Sequence, residues 1–212
     1  MCSSKKGVSA LQLQRELGLR SYESAWFLAH RIRMAMEEMH MLSGTVEVDE
    51  TYVGGKGSSK TRYQRQTPVV ALVSREENKV HSRPVENTKR NTLHQVIYQQ
   101  VDTDSRIVTD EWHSYKGIHR YYAGGHATVN HGQGEYSRGD IHINHAESYF
   151  ALLKRGVHGT FHHISRKHTG RYCAEFSFRW CRRKINDSQR TESVIEQVHG
   201  KRLTYDELVN KP

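Results

Sequence analysis

Three acidic side chains stand where this chain can do chemistry: Asp49 in VEVDETY, Asp110 in RIVTDEW and Glu147 in HINHAESYFALLKRG. They lie 61 and 37 residues apart, so only tertiary structure can gather them. Carboxylates brought together repel one another, and such a cluster is tolerated when divalent cations neutralise it. Oxygen-only ligands suit Mg²⁺ or Mn²⁺ rather than zinc, and a pair of such ions suits in-line displacement at phosphorus. Asp49, Asp110 and Glu147 are therefore the candidate metal ligands and catalytic residues. Asn144 is the alternative third ligand; Glu147 is preferred because an anion holds a hard cation better. Asn144, Glu147 and Lys154 sit at offsets of three and seven, which places them along one helical face. Each residue also has an ordinary explanation, since an aspartate at a strand end commonly caps a turn and a helical glutamate is commonly solvated. Their joint placement singles them out.

The neighbours sort by strand alternation. Glu50 and Glu111 should point away from the faces that Asp49 and Asp110 present, whereas Glu47 shares the face of Asp49 and is placed to support it. Trp112, His113 and Tyr115 follow the second aspartate; packing around the site is expected of them, with stacking on a displaced base as the alternative. The histidines of HGTFHH (158–163) fit no standard ligand spacing and are read as DNA contacts or a helix end.

The positioning elements are legible in the periodicity. Residues 8–40 read as two helices broken at Gly18, with Ser21 as a fair N-cap. They form either a helix-turn-helix that presents His30, Arg31 and Arg33 to DNA, or an ordinary hairpin packed on the next domain. GTVEVDETYVGG, TPVVALVSRE and KVHSRPVEN read as strands, TKRNTLHQVIYQQV as a helix, SRIVTDEW and HATVNHG as strands, and the Glu147 segment as a helix. Three strands followed by alternating helix and strand predict an α/β fold, a mixed sheet flanked by helices. The expected division is a helical segment over 1–42, a catalytic domain over 43–187, and a polar, loosely held tail over 188–212.

Lysine and arginine number 32 against 23 aspartates and glutamates, a formal charge of +9, which favours a polyanionic partner such as DNA. Residues 152–190 hold ten of these bases against two acids. Lys154, Arg155, Arg171, Arg179, Arg182 and Arg183 are candidate phosphate contacts, as are Lys56 and Lys60 in the glycine-rich stretch GGKGSSKTRYQRQ. That stretch does not meet the Walker pattern. Cys2, Cys173 and Cys181 form no disulfide framework or zinc spacing. The amino terminus lacks the apolar core of a signal peptide, and VVALV is far too short to span a bilayer, so a cytoplasmic setting without membrane contact is expected.

Taken in order, GTVEVDETYVGG, VTDEWHSY and INHAESYFALLKRGVHGTFHHIS resemble the core of bacterial insertion-sequence transposases of the DDE type, the ISXO-like group, over about residues 8–186. The resemblance implies an RNase H-like fold and Mg²⁺- or Mn²⁺-dependent phosphoryl transfer on DNA. It makes Asp49 the first acid, Asp110 the second and Glu147 the third, with Lys154 as the basic residue that often follows. The implied function is cleavage at transposon ends and strand transfer into target DNA, by a dimer or larger assembly. The alternative is a non-enzymatic, DNA-binding truncated transposase. Relatives usually carry an amino-terminal zinc ribbon, for which this chain has no cysteine pairs. Cys181 also stands where the family pattern leads one to expect asparagine.

Overall fold

A computed structural model describes residues 1–55, 66–134 and 137–210. Its centre is a five-stranded sheet of β1 (Thr45–Gly54), β2 (Gln66–Ser74), β3 (Lys79–Pro84), β4 (Arg106–Asp110) and β5 (His126–Val129). The order is β3-β2-β1-β4-β5, antiparallel through the first three and parallel from β1 to β4 to β5. This is the mixed sheet expected from the motifs, flanked by helices and preceded by a helical segment.

Central position explains the unbroken apolar run VVALV in β2, because helices cover both of its faces. Val69, Ala71 and Val73 point to one side, where α4 (Asn144–Gly156) and α5 (Thr169–Cys181) supply Ala146, Tyr149, Phe150, Leu153, Tyr172 and Phe176. Val70 and Leu72 point to the other, with Val46, Val48 and Ile107, against Leu93, Val96 and Ile97 of α3 (Arg90–Gln100) and the buried Tyr115. The last turn of α4 lies tight on α5: a Cβ at Gly156 would overlap the Phe176 ring.

The amino-terminal pair is α1 (Ala10–Leu17) and α2 (Tyr22–Ala35). Gly18 ends α1 in the left-handed conformation that favours glycine, and the Ser21 hydroxyl accepts from Ser24 N at 3.1 Å to start α2. Of the three residues that this pair would offer to DNA, packing withdraws two. His30 and Arg33 are buried: Arg33 Nε donates to Glu175 of α5 at 2.7 Å, and its guanidinium stacks on Tyr172. DNA cannot reach them. Arg31 is exposed.

The carboxy-terminal stretch differs from the loose tail expected. It forms α6 (Asp187–Glu196) and α7 (Tyr205–Val209), each opened by a capping box. Val194 joins a small core with Cys2, Ala35, Met36 and Phe178, and the Lys201 ammonium donates to the Ala35 carbonyl oxygen at 3.0 Å. A few apolar side chains among many polar ones were enough to seat it, a sparse pattern that composition alone hides.

Candidate active site

The parallel register sets the two aspartates. Thr45 pairs with Arg106, Val46 with Ile107 and Glu47 with Val108, an offset of 61 that equals the spacing of Asp49 and Asp110. Carried two residues further, the same offset draws Asp49 level with Asp110 on adjacent strands. Side-chain alternation then assigns their face. Val108, two before Asp110, packs on Ile143 ahead of α4, and Glu47, two before Asp49, reaches the start of α4 itself. Both aspartates therefore face the side on which α4 lies.

α4 carries Asn144 and Glu147 in its first turn, and its apolar positions Ala146, Tyr149, Phe150 and Leu153 turn into the core. That leaves Asn144, Glu147, Lys154 and Arg155 exposed on the opposite stripe. The amide, carboxylate and ammonium thus lie on the solvent-facing side of the helix, available to a ligand larger than the protein's own core.

Glu47 fixes where this helix begins. Its carboxylate is fully buried and accepts from His145 N at 2.8 Å and Ala146 N at 3.0 Å, capping α4 from the neighbouring strand. Its other oxygen accepts from Arg75 Nε at 2.6 Å and meets His145 Nδ1 at 2.8 Å. Arg75 also donates to the Asp140 and His142 carbonyl oxygens, each at 2.6 Å, so one guanidinium ties β2 to β1 and to the approach of α4. Sequence alternation put Glu47 behind the site but missed Arg75. A charged residue between Val46 and Val48 on a buried strand must have a partner, and that was the available signal.

Among the described residues, Glu47, His142 and His145 are a group whose ligand atoms lie within 4.8 Å of one another. Arg75 already supplies the cation there, 2.6 Å from Glu47 and 3.3 Å from His142 Nδ1. A guanidinium so placed disfavours a metal ion in the same position, and we read this cluster as a clamp.

The aspartates differ. One oxygen of Asp49 accepts from Glu50 N at 2.8 Å, and one of Asp110 from Trp112 N at 3.0 Å, contacts that orient each carboxylate. On the opposite face, the Tyr115 hydroxyl donates to Glu50. Burial, and then the charges of Asp49 and Asp110, push the Glu50 carboxyl up to about 7 against the pull of that hydroxyl. The region holds excess negative charge, and its donors are carboxylate oxygens. Asp49 and Asp110 supply the oxygen donors that a hard divalent cation takes.

The candidate phosphate contacts divide. Lys154 and Arg155 are exposed, as is Arg183, which stacks on Trp180 and donates to Asn78. Arg171 is half-buried beside His168. Arg179 is withdrawn from the set: it is 7 % exposed, paired with Glu175 at 2.6 Å, and donates to the Met1 and Ser4 carbonyl oxygens. Arg182 is also spent inside the fold, both of its terminal nitrogens donating to Glu38 at 2.8 and 2.5 Å. The aromatic interleaving of α5 puts Arg179 on a buried face, and Arg182, just past its end, is half-buried over the Phe178 ring. Lys56 and Lys60 lie outside the described residues. Cys181 lies against the edge strand, its sulfur accepting from Val80 N at 3.3 Å.

Comparison with known proteins adds three findings. Residues 41–181 match the ISXO2-like transposase domain. An uncharacterised protein in transposable element ISH50 of Halobacterium salinarum is 27 % identical over 165 residues, covering 69 % of this chain. The chain spans 56 % of that relative's length. A chain in the simian T-cell lymphotropic virus intasome complex with PP2A regulatory subunit B56 gamma aligns with a TM-score of 0.42 and 12 % identity, over 93 % of this chain and 73 % of that one. At that distance it bears no weight. No helix among the described residues is long and apolar enough to cross a membrane.

Proposed function

Because the chain belongs to the ISXO2-like transposase domain family, we propose that it cleaves DNA at transposon ends and joins them to target DNA, with residues 43–187 as its catalytic domain. The observation that carries this reading is the register of β1 on β4, which draws Asp49 level with Asp110 on the face where Glu47 holds the helix bearing Glu147. In this reading Asp49, Asp110 and Glu147 hold two Mg²⁺ or Mn²⁺ ions, with Asn144 as the alternative third ligand. Such ions, when bound, supply Lewis-acid neutralisation of charge at a phosphodiester.

The chain's own part is positioning. Lys154 and Arg155 bind backbone phosphates along the exposed stripe of α4. Glu47 and Arg75 fix where that helix starts against β1, and so hold the turn that carries Glu147 in a set place for the reaction. The surplus of bases lets the chain hold DNA as a salt-sensitive polyanion, in a dimer or larger assembly that pairs two ends.

The test is incubation of the purified chain with Mn²⁺ or Mg²⁺ and a labelled duplex carrying the element's own terminal repeat, beside Asp110→Asn and Glu147→Gln. Metal-dependent nicking and joining that both substitutions abolish is the expected result. Loss with Asp110→Asn alone moves the third ligand to Asn144. Binding without cleavage by the unaltered chain refutes the enzymatic reading and leaves a DNA-binding remnant.

A further inference from the structure

Beside the second aspartate lies a cleft of about 440 Å³ lined by Thr88, Lys89, Arg90, Trp112, His113 and Ser114. That volume is in the range of small-ligand pockets, roughly 300–1,000 Å³. β3 and β4 both run parallel to β1. The loop that leaves β3 to begin α3 therefore opens at the same end of the sheet where β4 delivers Asp110. The backbone joins cleft and aspartate directly, since Trp112 N donates to Asp110 Oδ1.

The contents of the cleft are one-sided. Lys89 and Arg90 are exposed at its rim with no acid among the lining residues, and the buried Thr88 and Ser114 lie behind them. Trp112 is 43 % exposed, resting at 4.6 Å and a tilt of 52° on His113. Its neighbour Tyr115 is buried in the core, so packing accounts for Tyr115 and not for the open indole. Cations that attract a phosphate, beside a flat aromatic that accepts the face of a base, are the two components of single-strand recognition. Within a duplex a base keeps both faces covered by its neighbours, so a base that lies between the indole and the cations of this cleft must leave the stack.

We infer that this cleft binds an unpaired nucleotide of the DNA next to the scissile phosphate, its base on Trp112 and its phosphates on Lys89 and Arg90. The inference rests on the transposase reading above and names the state of the substrate at that site: a DNA end with its terminal base splayed out.

The probe is a 12-nucleotide single strand carrying one 2-aminopurine, compared with a blunt duplex of the same sequence. Both are followed by anisotropy and by 2-aminopurine emission. Expected for Trp112→Ala is about a tenfold loss of single-strand affinity, loss of the stacking-dependent emission change, and less than about a twofold effect on the duplex. Trp112→Phe should restore both. Lys89→Ala with Arg90→Ala should flatten the slope of log affinity against log salt by about 1.4. An unchanged melting temperature in each variant confirms that folding is intact. Equal losses on both DNAs, or wild-type binding by Trp112→Ala, overturn the cleft and leave the transposase reading standing. Failure of the unaltered chain to bind either DNA overturns both.

Discussion

Glu47→Ala removes the carboxylate on which the start of α4 depends. Four donors lose their acceptor: Arg75 Nε, the His145 ring and the amides of His145 and Ala146. The pair is buried, Glu47 fully and Arg75 to all but 14 %. Breaking a buried ion pair by removing one partner costs about 3–5 kcal/mol. Arg75 keeps the Asp140 and His142 carbonyls as acceptors, which places the expected loss in the lower half of that range, about 3–4 kcal/mol. For a chain of this size that lowers the melting temperature by roughly 10 °C. Urea melts of the unaltered chain, Glu47→Ala, Arg75→Ala and the double variant measure both the loss and its coupling. Glu47→Ala should cost at least about 1 kcal/mol less when Arg75 is already alanine, and metal-dependent DNA cleavage should fall further than the folded fraction does. A loss under about 1 kcal/mol, or strict additivity, refutes the clamp.

Two more outcomes come from the packing. His30 is fully buried, neither ring nitrogen has a hydrogen-bond partner among the described residues, and burial, then Arg33, His168 and Arg171, push it down to about 2. The unfolded chain takes up a proton below pH 6.5 that the folded chain refuses, so stability is full above that pH and falls as pH drops. The slope is about 1.4 kcal/mol per unit, giving a loss of about 2.5 kcal/mol between pH 7 and 4.5. His30→Phe should flatten stability against pH in denaturant melts by that amount; parallel curves would contradict it. At the sheet edge, Cys181 meets Val80 N and O at 3.3 and 3.8 Å with a weak acceptor and a weak donor. Cys181→Asn offers an amide to the same two groups and should add about 1 kcal/mol, read as a rise in melting temperature of about 2–4 °C; no rise would show that the sulfur already satisfies the edge.

Alternation in VEVDETY and the apolar run VVALV were legible because strand period and burial are local properties of the chain, and so was the helical stripe of Asn144, Glu147 and Lys154. The caps at Gly18 and Ser21 were legible for the same reason: a left-handed turn and a hydroxyl beside an orphan amide need only neighbours. The spacing of 61 between Asp49 and Asp110 was visible too. Its meaning was not, because a register is a relation between strands, and it acquired one only when β1 paired with β4 at that same offset. Long-range pairing likewise decided the fate of the charges. Arg33, Arg179 and Arg182 read as basic residues facing DNA, yet Glu175 and Glu38 draw them inward, since a charge beside a buried surface is held only with its counter-charge. Arg75 and Glu47 lie 28 residues apart and join only because adjacent antiparallel strands bring them there. Residue type and local period thus settled which elements form and which side chains can do chemistry, while partner choice across the fold settled which charges remain for a ligand.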